Sequence, residues 1–176
     1  MTAALLGHLE PAGRLVTTWP AADGATPAWS VTPVDGVLEY AEGSFVGHRG
    51  HAAGRAPAPA FWFGAGLGYG SWEYADGRLD AVGEAPVVTV SVRNTSARAS
   101  REVVQVYLSP ADQAQPVRLI GWGAAVVPAG GTVEVTVGCD GRALRRWAGT
   151  GWQPVGGGQL LVARGLGDVR LRLPLD

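Results

Sequence analysis

The sequence predicts a mainly β protein, an antiparallel β-sandwich preceded by a mostly irregular N-terminal extension. Three observations lead there. Valine recurs at every second position in APVVTVSVRNT, REVVQVYLSP and TVEVTVG, the period of a strand with one buried face. Polar or glycine-rich turn segments such as NTSARAS and PAGG separate these runs at short intervals. Finally, 27 Gly and 12 Pro are spread among Trp, Val and Leu without any low-complexity period, a mixture that fits turns and short strands better than long helices.

Taken in order, MTAALLGHLEPAGRL reads as the last turns of a helix carrying Leu5, Leu6 and Leu9, with Gly7 inside it and Pro11 ending it. LVTTWP is a short strand stopped by Pro20, and residues 21–37 are turn-rich. One helical stub and one strand bury too little apolar area to offset the entropy of ordering them, so residues 1–37 need a partner. Within residues 38–70, GRAPAPAFWFGAGLGYG combines Pro57, Pro59, frequent glycine and the rings of Phe61, Trp62, Phe63 and Tyr69. It reads as an ordered connection pressed against a neighbouring surface, too aromatic for a free linker.

The sandwich occupies residues 71–176. A first strand lies near Trp72 to Tyr74. The second turns Val88, Val90 and Val92 one way; the third turns Val104, Val106 and Leu108 one way and Gln105 and Tyr107 the other. RLIGWGAAVVP is a strand broken or bulged at Gly121 and Gly123, and TVEVTVG alternates again. DGRALRRW forms at most two helical turns, capped by Asp140, with Leu144 and Trp147 pointing inward. GQLLVAR and DVRLRLPL are the last strands, giving about seven in all. The shape is immunoglobulin-like and free of disulfides, because Cys139 is the only cysteine; a small buried thiol is expected there.

Positive charge is carried by Arg alone, and the formal net charge of -1 disfavours nucleic acid and anionic lipid as partners. The sequence shows no leader of the export type and no apolar run long enough for a membrane span, so a soluble chain, cytoplasmic by default, is expected.

Four segments in order resemble family 3 glycoside hydrolases. LLGHLEPAGRLVTTWP resembles the end of that family's α/β sandwich domain, with its Asn-Pro-Ser-Gly-Arg-Leu turn; Pro11, Gly13, Arg14 and Leu15 match, while Glu10 and Ala12 differ. YAEGSFVGHRG resembles Tyr-x-Glu-Gly-Ile/Leu-Phe-Val-Gly-Tyr/His-Arg, matched at Tyr40, Glu42, Gly43, Phe45, Val46, Gly47, His48 and Arg49. FWFGAGLGYGSWEY resembles Pro-Phe-Gly-His-Gly-Leu-Ser/Gly-Tyr-Thr-x-Phe/Trp, with Ala65 for the usual His and Trp62 for Pro. The remainder is similar to the fibronectin-III-like domain of bacterial members.

The resemblance implies a division into residues 1–37 as a remnant of the α/β sandwich domain, 38–70 as a connecting segment and 71–176 as the fibronectin-III-like domain. It also implies that the family's nucleophile and acid/base, in the barrel and the sandwich domain, have no counterpart in this sequence. A retaining glycosidase needs two carboxyl groups about 5–5.5 Å apart, so this chain alone is expected to be inactive. The leading expectation is a structural, accessory region whose partners are the catalytic barrel and sandwich domains, in cis or in trans, with self-association through the N-terminal region. The alternative is a stand-alone carbohydrate-binding or protein-interaction sandwich.

Candidate sites are few. No catalytic residue, cofactor or metal is assigned. Glu42 and Trp62 are candidates for the rim of a parent active site, although a salt bridge from Glu42 to Arg49 or Arg55 and simple packing of Trp62 are the leading roles. Asp35, Glu39 and Glu42 lie in turn-rich sequence that would not fix an acid pair. His8, His48 and His51 are too scattered for a metal, and His48 is expected to be packed or hydrogen-bonded. Trp72, Trp122 and Trp147 are expected in the core, while Trp152 is a candidate for stacking on a glycan.

Overall fold

The computed structural model describes residues 2–81 and 85–175. Among these residues, nine strands follow two short helices, α1 (Thr2–Leu5) and α2 (His48–Ala52). Strands β1 (Trp72–Ala81), β2 (Val87–Asn94) and β5 (Thr132–Gly138) form one sheet in the order β1-β2-β5. Strands β3 (Ser100–Pro110), β4 (Arg118–Val127), β8 (Gly158–Gly165) and β9 (Asp168–Leu175) form the other, in the order β4-β3-β8-β9. Every pairing is antiparallel. This three-plus-four arrangement is the fibronectin-III-like sandwich that the sequence predicts.

The period-two pattern explains the core directly. Val88, Val90 and Val92 of β2, Val104, Val106 and Leu108 of β3, and Leu160 and Val162 of β8 are sealed between the sheets at 0% exposure. Trp72, Ile120, Val127, Val135, Val137, Cys139 and Val155 complete the cluster. Burial pushes the Cys139 thiol up to about 11, which makes it an inert packing residue at neutral pH.

Strand β4 carries the expected irregularity. The register passes from Val106 opposite Gly121 to Tyr107 opposite Leu119, leaving Ile120 as the extra residue of a bulge. Trp122, expected in the core, is instead 64% exposed. The two flanking glycines give the reason. A Cβ on Gly121 would lie 2.9 Å from the Val137 side chain, and one on Gly123 would lie 3.2 Å from both Val135 and Val137. The inward positions therefore belong to the glycines, where β5 comes close, and alternation turns Trp122 outward.

The segment after β5 also departs from expectation. Asp140 caps as predicted, its side chain accepting from the Arg142 N–H at 3.0 Å, but the helix is a single 3₁₀ turn at Gly141–Leu144. Leu144 packs on the core. Arg145–Trp147 then becomes strand β6, paired with β7 (Trp152–Pro154) as a two-stranded ribbon apart from both sheets. Trp147, expected inward, is 57% exposed on that ribbon.

In the extension, α1 is shorter than predicted. Gly7 turns left-handed at φ 76° and ends the helix, so Leu9 and Pro11 lie beyond it. LVTTWP contributes only an isolated bridge, Trp19 to Phe61. Among the described residues, no helix is long and apolar enough to cross a membrane.

Candidate docking surface

The extension lies along the outer face of the β4-β3-β8-β9 sheet, and its polar contacts fix it there. Glu102, in phase with Val104 and Val106, is the charged residue on that face of β3 and is almost fully buried. It accepts from Arg164 at 2.8 Å, from the Tyr74 hydroxyl at 3.0 Å and from Arg14 at 3.3 Å. A carboxylate so deeply buried requires partners of this kind. Burial and the neighbouring Glu102 carboxylate push the Tyr74 phenol well above its ordinary range, so it stays a donor.

A second anchor lies three residues on, in the opposite phase. The Gln105 side-chain amide donates to the carbonyls of Gly64, at 3.0 Å, and Arg164, at 2.7 Å, while its oxygen accepts from the Tyr107 hydroxyl at 2.5 Å. Gly64 has φ 82°, and a Cβ there would lie 2.1 Å from the Gln105 side chain, so both backbone and space demand glycine. A small second core forms beneath, in which Tyr107, Leu161 and Ala163 meet Phe63, Val117, Leu119, Leu166 and Val169.

The N-terminal turns are tied down by Glu10, which accepts from the Tyr69 N–H at 2.9 Å and from the Ser100 hydroxyl at 3.4 Å. Arg98 donates to the Gly7 carbonyl at 3.0 Å. Residues 15–19 and 61–65 then run side by side, with Leu15 N–H to Ala65 O at 2.8 Å and Trp19 N–H to Phe61 O at 2.9 Å.

What this pairing presents outward is apolar. Leu15, Trp19, Phe61, Ala65 and Leu67 line a groove of about 480 Å³ with Arg14 at one side. An adjoining groove of about 370 Å³ shares Arg14 and Leu15 and reaches Trp122. Leu5, Leu6, Leu9, Val16, Trp29, Val31, Val34, Val37 and Tyr40 are exposed on the same extension. Among the described residues, the buried side-chain polar atoms without a partner are Arg14 Nε, Thr18 Oγ1, His48 Nε2 and Arg49 Nε, all within residues 2–70. Isolated exposed hydrophobics are ordinary, but two adjoining apolar grooves that share Arg14, whose Nε is buried without a partner, make a candidate interface.

The candidates named from sequence fall as follows. Glu42 is half-buried and makes no ion pair among the described residues; the expected partner Arg55 instead stacks over the Phe45 ring at 3.4 Å. Trp62 is half-buried, edge-on to His51 at 6.4 Å and so close to Gly167 that a Cβ there would lie 2.3 Å from the indole. His48 is packed as expected, stacked on Phe63 at 4.4 Å; burial, with Arg49 beside it, lowers its pKa to about 4 and keeps it neutral at physiological pH. Asp35 and Glu39 are exposed, the former in a left-handed turn. No group of three His, Cys, Asp or Glu side chains gathers to hold a metal among the described residues. Trp152 is exposed on the β6–β7 ribbon. Sequence reasoning passed over Glu102, Gln105, Tyr74 and Arg164; the available signal was a charge in phase with Val104 and Val106.

No family model matches the chain. A beta-glucosidase of Rhizobium radiobacter is 41% identical over 112 residues, 59% of this chain and 14% of the relative. An exo-alpha-(1->6)-L-arabinopyranosidase of Bifidobacterium longum is 32% identical over 149 residues, 82% of this chain and 20% of the relative. Among solved structures, DesR, a beta-glucosidase from Streptomyces venezuelae in complex with D-glucose, superposes with a TM-score of 0.89 at 30% identity, covering 98% of this chain and 24% of that one. The chain thus spans a quarter or less of the length of these relatives. With both the ordered sequence segments and the whole fold shared with these enzymes, the chain belongs to the family 3 glycoside hydrolases and corresponds to their C-terminal part.

Proposed function

We propose that the chain is a non-catalytic, bracing region of a family 3 β-glycosidase whose complete polypeptide performs retaining hydrolysis of terminal β-linked glycosides. The observation that carries this reading is the placement of exposed apolar side chains. The sandwich closes its own core, while the grooves around Leu15, Trp19, Phe61 and Leu67 lie open on a segment firmly latched to that sandwich. A latched apolar surface is suited to hold a second domain in a fixed orientation. The family's two catalytic carboxylates belong to segments with no counterpart in this sequence, so hydrolysis would require the barrel and sandwich domains, joined in cis or supplied in trans.

In this reading residues 1–37 complete the edge of the α/β sandwich domain, 38–70 form the connection and 71–176 form the brace. Glu42 and Trp62 belong to the connection, Trp62 as packing and Glu42 near the junction with the catalytic body. The test is to prepare the 176-residue chain alone and titrate it with an environment-sensitive dye while following its mass against concentration. Strong dye binding and reversible self-association are expected, both suppressed by adding barrel and sandwich domains from a related enzyme. A strictly monomeric, dye-silent chain overturns the proposal.

A further inference from the structure

The β6–β7 ribbon carries a second surface that takes no part in the grooves just described. The Val155 N–H, which donates to the Leu144 carbonyl at 2.8 Å, closes its base over the sandwich core, and the Arg118 guanidinium of β4 holds it to the sandwich by donating to the carbonyls of Ala143 and Arg145 at 2.8 and 2.9 Å. The register pairs Arg145 with Pro154, Arg146 with Gln153 and Trp147 with Trp152. Alternation therefore puts Arg145, Trp147, Trp152 and Pro154 on one face. The two indoles meet edge to face, with centroids 5.8 Å apart and planes at 74°, yet Trp147 and Trp152 stay 57% and 62% exposed. Their mutual contact occupies one broad ring face and leaves the others to water.

We propose that this face is a glycan-binding site, in which Trp147 and Trp152 form two walls of a corner that stacks on the C–H face of a pyranose ring in a β-linked glucan. Arg145 beside them supplies donors for sugar hydroxyls. Three observations favour this occupant. The face is two residues long on two strands, about 7 by 5 Å, which suits one or two sugar rings and falls far short of the about 1,000 Å² a stable protein interface buries. The ribbon sequence RRWAGTGWQP sets Arg and Gln side chains, which can donate to hydroxyl and ring oxygens, beside the two indoles, and the net charge of -1 gives the chain no general attraction for polyanions. An indole, moreover, offers a rigid, flat apolar surface at little entropic cost, which is what the apolar face of a pyranose can use. Next to a glycosidase body, weak stacking of this kind would raise the local concentration of chain ends. The inference is independent of the bracing role, since it uses a different surface.

The test uses the intact chain. Migration in a native gel containing barley β-glucan, and the indole N–H resonances during titration with cellopentaose, are compared for the natural chain, Trp152→Ala, Trp152→Tyr and Trp19→Ala. The expected result is retardation by the glucan, weakened about tenfold or more in Trp152→Ala, partly restored in Trp152→Tyr and unchanged in Trp19→Ala. Trp152→Tyr keeps a cross-strand ring pair, so it separates loss of stacking from loss of the ribbon. Absence of retardation and of shifts up to about 10 mM cellopentaose, or retardation undiminished in Trp152→Ala, overturns the site. Shifts produced by a proline-rich peptide and not by cellopentaose overturn it equally.

Discussion

The sandwich and the extension dispose of apolar side chains in opposite ways. In β2, β3 and β8 the valines and leucines turned between the sheets are driven to 0% exposure, whereas Val16, Leu67 and Leu5 in the extension stand at 88%, 84% and 78%. The extension is nevertheless firmly held, by Glu102, Gln105 and Ser100 of the sandwich, through hydrogen bonds and charge. Order in an irregular segment therefore need not come from a core of its own. Polar anchors on a rigid neighbour can fix the backbone and leave the apolar side chains for something else.

The contrast can be tested by substitutions whose effects should fall in a definite order. Leu160→Ala, at the centre of the sandwich, should cost about 4 kcal/mol in denaturant unfolding, because the surrounding strands cannot collapse onto the space left behind. Glu102→Gln removes the carboxylate that Arg14 and Arg164 share and should cost about 3 kcal/mol. It should also speed proteolytic cleavage within residues 2–70, which Leu160→Ala should do only through global unfolding. Retained stability with an unchanged cleavage pattern would show that the latch is not what holds the extension.

A smaller effect is expected from pH. The His48 pKa in the folded chain, about 4, lies below its unfolded value near 6.5, so the unfolded chain binds the proton first. Stability contributed by neutral His48 is thus full above about pH 6.5 and is lost as the pH falls toward 4. His48→Phe, which keeps a ring on Phe63, should flatten that part of the stability profile; an unaltered profile would assign the dependence to other groups. Smallest of all, Leu67→Ser should change unfolding by less than about 0.5 kcal/mol while lowering dye binding, since Leu67 covers no core. A large loss of stability there would erase the distinction between the two regions.

Much of the sandwich was legible because a strand with one buried face writes a period of two into its sequence, as in Val88-Val90-Val92 and Val104-Val106-Leu108. The ribbon was not. ALRRW has the composition of a helix, and only the cross-strand pairing of Trp147 with Trp152 around Gly149, at φ 81°, makes residues 145–147 a strand. Trp122 was misplaced by treating tryptophan as a core residue by type, when the phase of Gly121 and Gly123 already assigned the inward positions to glycine. The motif residue Arg14 was visible as a match, but its role was not, since Glu102 lies 88 residues away and local pattern carries no information about such a pairing.

That separation also sets an order of events. Arg14 leaves the ribosome 88 residues before Glu102, and Glu102 another 62 before Arg164. The ion cluster can therefore be complete only once β8 has been made and laid beside β3, and until then Glu102 lacks the nearer of its two arginines. Closing so long a loop is among the last and most entropically demanding steps of folding. The cluster thus acts as a completion check: the upstream segment acquires its final place only when nearly all of the downstream domain exists to receive it.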